Sequence, residues 1–279
     1  MKRLIPALIL ILVLAPCGHA YELKKGAVLA SHESPTLTYT MRRYVLNSMA
    51  CHVIDLELTD PARQIRKAAS PWHESLADAL DLAETIPGTV LAVNGSGYVS
   101  PRYPEIPEDY PGESSDYWYE PLGSVTVTDG TVLRRLDGVP YYGLTLEEDG
   151  LKMVVGEDPE SVLENDPYQT WSFYDGCPLI RDGESILDTE WDFACRRARR
   201  TVIAGFKEKG HYLIFMVLDR PGVKLTHLTE CLVRDFHVDW AYNLDGGPSS
   251  ALIRLKGQKK LTLVGGGDQK VADIMAFTE

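Results

Sequence analysis

The sequence predicts an α+β fold, a single strand-rich mixed domain with one or more central twisted sheets flanked by helices. Three observations predict it. Short runs of strand length recur along the chain, and several end in Asp-Gly pairs typical of tight hairpins. Few stretches have helical spacing, which leaves helices as a minority. The 44% hydrophobic content supports a substantial core, and no repeat or linker divides the chain after residue 20.

The N-terminal segment, residues 1–20, has the features of a signal peptide. Its first residues are basic, residues 4–15 are apolar, and residues 18–20 form a small-x-small cleavage site. The apolar run is shorter than the roughly 20 residues that a bilayer span needs. A lipid anchor at Cys17 is a lesser alternative, because a proline precedes it where a small residue is expected. We predict a secreted or cell-envelope protein with a domain at 21–279 and no transmembrane span.

Charge and cysteine content narrow the function classes. The formal net charge of −12 argues against nucleic-acid binding, whose affinity comes largely from basic side chains that neutralise phosphates. The predicted mature chain allows up to two disulfides in three possible connectivities, or four buried thiols. The cysteines concerned are Cys51, Cys177, Cys195 and Cys231. No protein partner is indicated.

The first half of the domain mixes strands with one helix. Polar and apolar residues alternate over 51–58, which predicts a strand, and helical spacing over 75–85 predicts a helix. An apolar strand then runs directly into Asn94 and a Gly-Ser-Gly turn. Residues 100–121 form a proline-rich, acidic and aromatic loop, which is either a lid whose rings stack on sugars or a tethered connection.

The second half is predicted to be mostly hairpins. The elements are hairpins at 123–133 and 141–155, a short helix at 161–164, a strand at 171–180, a hairpin at 202–218, a helix at 225–236 and a strand at 240–244.

The stretch at 241–252 has the strongest functional pattern. It is predicted to be a short buried strand that ends in a polar, glycine-rich turn. Such glycines allow φ > 0 and close approach of a ligand, and successive N–H groups of the turn can form an anion-binding concavity. The alternative is a plain Asp-Gly hairpin. The turn residues of interest are Asn243, Asp245, Gly246, Gly247, Ser249 and Ser250.

Charged groups elsewhere suggest partners for this turn. Residues 196–200 hold four arginines, and Arg200 lies closest to a predicted core strand, so we expect it to point into a site and bind phosphate through its planar fork. The alternative is a solvated basic edge. Acid–base chemistry often uses a pair of carboxylates, for which Asp245, Asp219 and Glu230 are the candidates. Glu230 is equally well explained as a helix-surface residue.

Residues 243–250, Asn-Leu-Asp-Gly-Gly-Pro-Ser-Ser, resemble the Asn-Leu-Asp-Gly-Gly-Gly-Ser-Ser motif of the phosphodiester glycosidase family. Weaker similarities in the same order cover most of the chain after residue 20. They are the turn at Asn94 and the stretches 177–183, 200–205, 225–232 and 271–277. Pro248 departs from the motif and removes one backbone N–H from the turn.

The resemblance implies hydrolysis of a sugar-1-phosphate diester, of the N-acetylglucosamine-1-phosphodiester kind, to free sugar and a phosphomonoester. It also implies a role in exported polysaccharide or cell-envelope metabolism. Our hypothesis makes Asp245 the leading catalytic carboxylate, with Glu230 or Asp219 as its partner, and requires no cofactor. Electrostatic stabilisation of the leaving phosphate is assigned to an arginine and backbone N–H groups. The binding candidates are Arg200, Thr201, Asn94, Asn243, Gly246, Gly247, Ser249 and Ser250.

Two alternatives stay open. One is a non-catalytic secreted module that binds glycan or the cell envelope on the same fold, which the altered Pro248 favours slightly. The other is a calcium-dependent hydrolase with Asp219, Asn243 and Asp245 as oxygen ligands.

Overall fold

Antiparallel strands form the body of the protein, in a computed structural model that describes residues 21–71, 75–99, 120–173, 177–257 and 260–279. Its strands are β1 (Leu23–Glu33), β2 (Leu37–Leu46), β3 (Met49–Leu58), β4 (Ile65–Ala69), β5 (Thr89–Asn94), β6 (Tyr98–Val99), β7 (Glu120–Pro121), β8 (Val125–Thr128), β9 (Thr131–Arg135), β10 (Tyr141–Glu147), β11 (Gly150–Glu157), β12 (Gln169–Trp171), β13 (Pro178–Arg181), β14 (Glu184–Ser185), β15 (Arg200–Gly205), β16 (His211–Val217), β17 (Trp240–Asn243), β18 (Ala251–Lys256), β19 (Lys260–Gly266) and β20 (Asp273–Thr278).

Helices are short. They are α1 (Pro61–Gln64), α2 (Ala79–Glu84), α3 (Pro159–Glu164), α4 (Asp192–Cys195) and α5 (Leu225–Cys231), with a π-helical turn at Leu232–Phe236 and a 3-10 turn at Gly247–Ser249.

Two large sheets carry the architecture. Sheet A has the strand order β1-β2-β3-β16-β15-β17-β13-β14, and sheet B has the order β19-β18-β5-β20-β4. Every strand pair in both sheets is antiparallel. A smaller sheet, β11-β10-β12, and the two-strand pairs β6-β7 and β8-β9 complete the described strands.

The two sheets pack face to face with helices outside them. Ile203 and Tyr242 of sheet A share a buried core with Leu91 and Met275 of sheet B. On the outer face of sheet A, α5 packs through its buried leucines, and on the outer face of sheet B, α2 packs through Leu82 and its neighbours. Because β5 has a core on both faces, all six of its residues are buried, in agreement with the apolar run over 90–93. The predicted strand-rich α+β class with sheets flanked by helices is confirmed.

Several predicted elements shift at their boundaries. The strand predicted at 51–58 is β3. The helix predicted at 75–85 is shorter, because Ala77 forms an extended bridge with Val271 before α2 begins. The strand predicted at 171–180 is two separate strands, since β12 ends at Trp171 in the small sheet and β13 begins at Pro178 in sheet A.

Other expectations concern the chain ends, the loop and the cysteines. The predicted signal peptide with Cys17, and residues 100–119 of the predicted loop, lie outside the described residues. No helix in the described ranges combines the length and the hydrophobicity of a bilayer span. None of the four cysteines of the described chain forms a disulfide, and Cys195 is the exposed one among them.

Candidate active site

The glycine-rich turn is the point where the chain passes from sheet A to sheet B. β17 lies in sheet A and β18 in sheet B, and we call the connection, residues 244–250, the crossover turn. Its first N–H, from Leu244, still donates to Thr201 O of sheet A, and the next, from Asp245, donates to Gly95 O beyond β5. Gly246 is needed here because a β-carbon would lie 2.7 Å from Arg199 O.

Asn94 joins the two sheets beneath the crossover turn. Its amide oxygen accepts from Thr201 Oγ1 at 2.7 Å and from Ala251 N at 3.1 Å, while its Nδ2 donates to Asp245 O at 2.7 Å. Thr201 Oγ1 also lies 3.4 Å from Ser250 Oγ. The side chains of Asn94, Thr201 and Ser250 are fully buried. The two strand ends with Asn and glycine therefore lie side by side, and Asn94 positions the backbone of Asp245.

Asp245 has the electrostatics of an acid–base group. It is half-buried, and this burial raises the pKa of its carboxyl to about 7, while the nearby charge of Asp273 raises that pKa further. Hydrogen bonds from the Ser249 hydroxyl and from Gly246 N, 2.7 Å from Oδ1, lower the pKa and only partly offset the burial. The carboxyl can therefore exchange a proton near neutral pH.

A buried ion pair that the sequence analysis did not predict lies next to Asp245. Asp273 Oδ2 lies 3.2 Å from Lys67 Nζ, and each side chain is only 1% exposed. Asp273 Oδ1 accepts from Ser96 N at 2.6 Å, and Lys67 donates to Thr170 O at 2.8 Å. For Asp273 the available signal was a single charged residue in an otherwise apolar strand, whereas Lys67 stands beside Arg66 and had no such signal.

We expect Gly95→Ala to damage this cluster. Its β-carbon would lie 1.9 Å from Asp273 Oδ1 and 2.9 Å from Trp171 Cδ1, both on buried side chains. Overpacking of this kind costs about 1–3 kcal/mol of the free energy of unfolding, which urea denaturation would measure. Gly265→Ala is the control, because its β-carbon meets only the flexible end of Leu218, at 3.0 Å. Equal stability of the two variants would contradict the close packing of Gly95 against Asp273 and Trp171.

The expected anion-binding concavity is closed in this structure. Gly246 N donates to Asp245 Oδ1, Gly247 N to Arg199 O, and the N–H groups of Ser249 and Ser250 donate to carbonyls within the turn. Pro248 has no N–H. The backbone of the crossover turn is therefore engaged in holding its own shape.

Arg200 points away from the crossover turn. Its fully buried guanidinium packs over the Phe193 ring at 4.4 Å and donates to the carbonyls of Phe193, Arg196 and Val223 on the α4 side of sheet A. Burial lowers the pKa of Arg200 to about 10. Only Nη1 lacks a partner among the described residues. The contacts mainly fix α4 against β15, rather than offering an open fork to a ligand.

The other two carboxylate candidates lie on other elements than Asp245. Glu230 is on α5, on the outer face of sheet A, where it accepts from Arg234 Nη1 at 3.0 Å and lines a cavity of about 540 Å³ with Cys195. Asp219 follows β16 and is exposed, and β15 separates β16 from β17. Its charge instead raises the pKa of His52, against a larger lowering by burial.

The structure gives no support to a calcium site of Asp219, Asn243 and Asp245. The buried Asn243 amide donates to Leu244 O at 2.8 Å and to Cys177 Sγ at 3.7 Å, and its Oδ1 has no partner in the described chain. No group of three or more His, Cys, Asp or Glu side chains suited to a metal ion occurs within the described ranges.

Comparison with known proteins gives a family match. The phosphodiester glycosidase family model matches residues 87–278, which include the crossover turn, Asn94 and Asp273. No curated protein sequence matches the chain significantly.

Solved structures share the fold. The catalytic domain of zebrafish N-acetylglucosamine-1-phosphodiester alpha-N-acetylglucosaminidase, in a structure auto-inhibited by its pro-peptide, is similar with a TM-score of 0.64 and 19% identity, over 95% of this chain and 91% of that one. A hypothetical protein from Synechocystis is similar with a TM-score of 0.55 and 14% identity, over 93% of this chain and 68% of that one. At these identities the likeness concerns the fold alone.

Proposed function

This chain belongs to the phosphodiester glycosidase family, and from that premise we propose that it is a hydrolase that cleaves a sugar-1-phosphate diester into free sugar and a phosphomonoester. A diester of the N-acetylglucosamine-1-phosphodiester kind is the first candidate substrate. The observation that carries the proposal is Asp245, a half-buried carboxyl with a pKa of about 7 in the turn that resembles the family motif.

We assign Asp245 the role of general base. Its carboxylate removes a proton from a water molecule, and the water oxygen forms a bond to the anomeric carbon. The bond between that carbon and the phosphate oxygen breaks, and its electron pair leaves with the phosphate. A base is most effective when its pKa lies near the working pH, and about 7 meets that condition.

A phosphate leaving group explains why one carboxylate can suffice. Ordinary glycosidases need a second carboxyl to protonate the departing oxygen. A phosphate oxygen carries the developing charge without that proton, so the reaction requires a cation at the phosphate instead of an acid. The position of Glu230 on the outer face of sheet A is consistent with this proposal. Asn94 and Thr201 act as positioning residues for the crossover turn.

The assignment predicts the direction of the pH dependence. Because the carboxylate form of Asp245 is the active one, kcat/KM should fall roughly tenfold per pH unit below about pH 7 and level off above it. The diester keeps its single negative charge over this range, so the profile reports the enzyme. Rates of free-sugar release between pH 5 and 9 would measure it. A rate that instead falls above pH 7 would make Asp245 a proton donor and contradict the role of base.

The direct test is turnover. Protein comprising residues 21–279 would be incubated with a panel of α- and β-linked sugar-1-phosphate diesters, with and without a chelator, while free sugar is followed. Release from one diester that persists with chelator would support the proposal and identify the sugar. Saturable binding without release would contradict hydrolysis and favour the glycan-binding module. Loss of release with chelator would favour the calcium-dependent alternative.

We also propose that the reaction takes place outside the cytoplasm, in exported polysaccharide or cell-envelope metabolism. The basis is the signal-peptide pattern of residues 1–20. The intact mass of protein recovered from the producing cells would test it, since export predicts a chain that begins at Tyr21. An uncleaved chain would contradict this part of the proposal.

A further inference from the structure

Arg199, the neighbour of Arg200, lies on the side of sheet A that faces the crossover turn. Its carbonyl accepts from Gly247 N at 3.0 Å. Its side chain runs toward sheet B, where Nη1 donates to Asp268 Oδ2 at 2.8 Å. The loop that holds Asp268 is itself tied to the turn, because Gly267 N donates to Ser250 O at 2.8 Å. The Arg199 guanidinium therefore links the backbone before β15 to the loop of Asp268, and both segments are hydrogen-bonded to the crossover turn.

The hydrogen bonds of this guanidinium are incomplete. The Arg199 side chain is 5% exposed, and its Nη2 is buried without a hydrogen-bond partner in the described part of the chain. A guanidinium has donors in a fixed fork that match two oxygens of one anion. In this structure the guanidinium donates to one carboxylate oxygen, Asp268 Oδ2, through one nitrogen, Nη1. The Asp268 side chain is 54% exposed, so solvent and ligands can reach this carboxylate.

We propose that Arg199 binds the phosphate group of the substrate, and that Asp268 is an exchangeable counter-ion which the phosphate displaces from it. The identity of the full ligand rests on the proposed function, whereas binding of a phosphate group does not. Arg199 supplies the cation that a departing phosphate needs, at a turn whose own N–H groups are already engaged. Arg200, enclosed by carbonyls on the other side of the sheet, holds β15 in place.

Competition between carboxylate and phosphate sets the expected effects of three variants. Asp268→Asn removes the competing charge and keeps the shape, so inorganic phosphate should bind roughly twofold to fivefold more tightly, as a half-exposed ion pair allows. Arg199→Gln removes the cation, and phosphate should bind at least about tenfold more weakly. Arg199→Lys keeps the charge without the fork and should fall between Arg199→Gln and the unaltered protein.

The experiment is a calorimetric titration of inorganic phosphate into residues 21–279 and these variants, at fixed low salt. Asp149→Asn is the matched control, because it removes an exposed aspartate that pairs with Lys209 at 3.1 Å. Thermal melting would verify folding of each variant, and Arg199→Lys and Asp268→Asn keep the test decisive if Arg199→Gln does not fold. Tighter binding in Asp268→Asn and weaker binding in Arg199→Lys, with Asp149→Asn unchanged, would establish the site.

The same titration separates this inference from the proposed function. Unchanged phosphate binding in the Arg199 variants, weaker binding in Asp268→Asn, or no binding in the unaltered protein would overturn the inference even if diesters are hydrolysed. Phosphate binding that depends on Arg199, without hydrolysis of any diester, would uphold the inference and overturn the proposed function. In an active enzyme, Arg199→Lys should both raise KM for the diester and lower kcat, because the cation holds the phosphate and stabilises the charge that develops on it.

Discussion

Replacing Asp245 with asparagine should lower kcat by roughly 10²–10⁴-fold, the usual contribution of a general base. The amide oxygen can still accept from Gly246 N and from the Ser249 hydroxyl, so the shape of the crossover turn is retained. The amide cannot take up a proton, and the attacking water stays neutral. Initial rates of free-sugar release at pH 8 would measure the effect, since the base is ionised there in the unaltered protein.

Stability separates a chemical effect from a structural one in this variant. Near or above pH 7, asparagine removes a carboxylate whose burial and proximity to Asp273 disfavour its charge, so Asp245→Asn should melt no lower than the unaltered protein. Asp149→Asn, an exposed aspartate outside this cluster, serves as the control for loss of one negative charge. Near-normal turnover in a folded Asp245→Asn protein would end the assignment of Asp245 as the base.

The sequence predicted the parts of the site that are local. The strand at 240–244 and its glycine-rich turn follow from a short apolar run that stops at polar and glycine residues, and the same reasoning identified the end of β5 at Asn94. The fold class followed from strand spacing and Asp-Gly turns in the same way. These features depend on neighbouring residues, so a linear pattern contains them.

What the sequence could not predict depends on tertiary contacts. Five consecutive positions, 196–200, contain four arginines without alternation, and only the pairing of β15 with its neighbours decides which arginine faces sheet B. The hydrogen-bond partners of the turn's N–H groups come partly from a segment distant in sequence, as with Arg199 O just before β15. The helix-surface alternative for Glu230 has a signal in the sequence, because the buried leucines of α5 recur at helical spacing and leave position 230 off that stripe.

Lys67→Met should destabilise the fold more than any other substitution considered for this site. Removing the lysine leaves the Asp273 carboxylate 1% exposed without its cation, and breaking a buried pair in this way costs about 3–5 kcal/mol. That is a large share of the ~5–15 kcal/mol by which domains are usually stable. Urea denaturation at pH 7.5 would measure the loss, with Lys67→Arg as the variant that keeps the charge.

The double variant Lys67→Met with Asp273→Asn tests whether the loss comes from the stranded charge. With both charges removed, most of the lost stability should return, because a buried pair costs desolvation that its mutual attraction only partly repays. As single variants, Lys67→Met and Asp273→Asn should also move the kinetic pKa of Asp245 in opposite directions. The bare Asp273 carboxylate of Lys67→Met raises that pKa, since Asp273 already does so in the unaltered protein, and Asp273→Asn lowers it. Equal stability of Lys67→Met and the unaltered protein would contradict the stabilising role of the ion pair. A pH profile that neither change displaces would mean that the ion pair acts independently of the catalytic carboxyl.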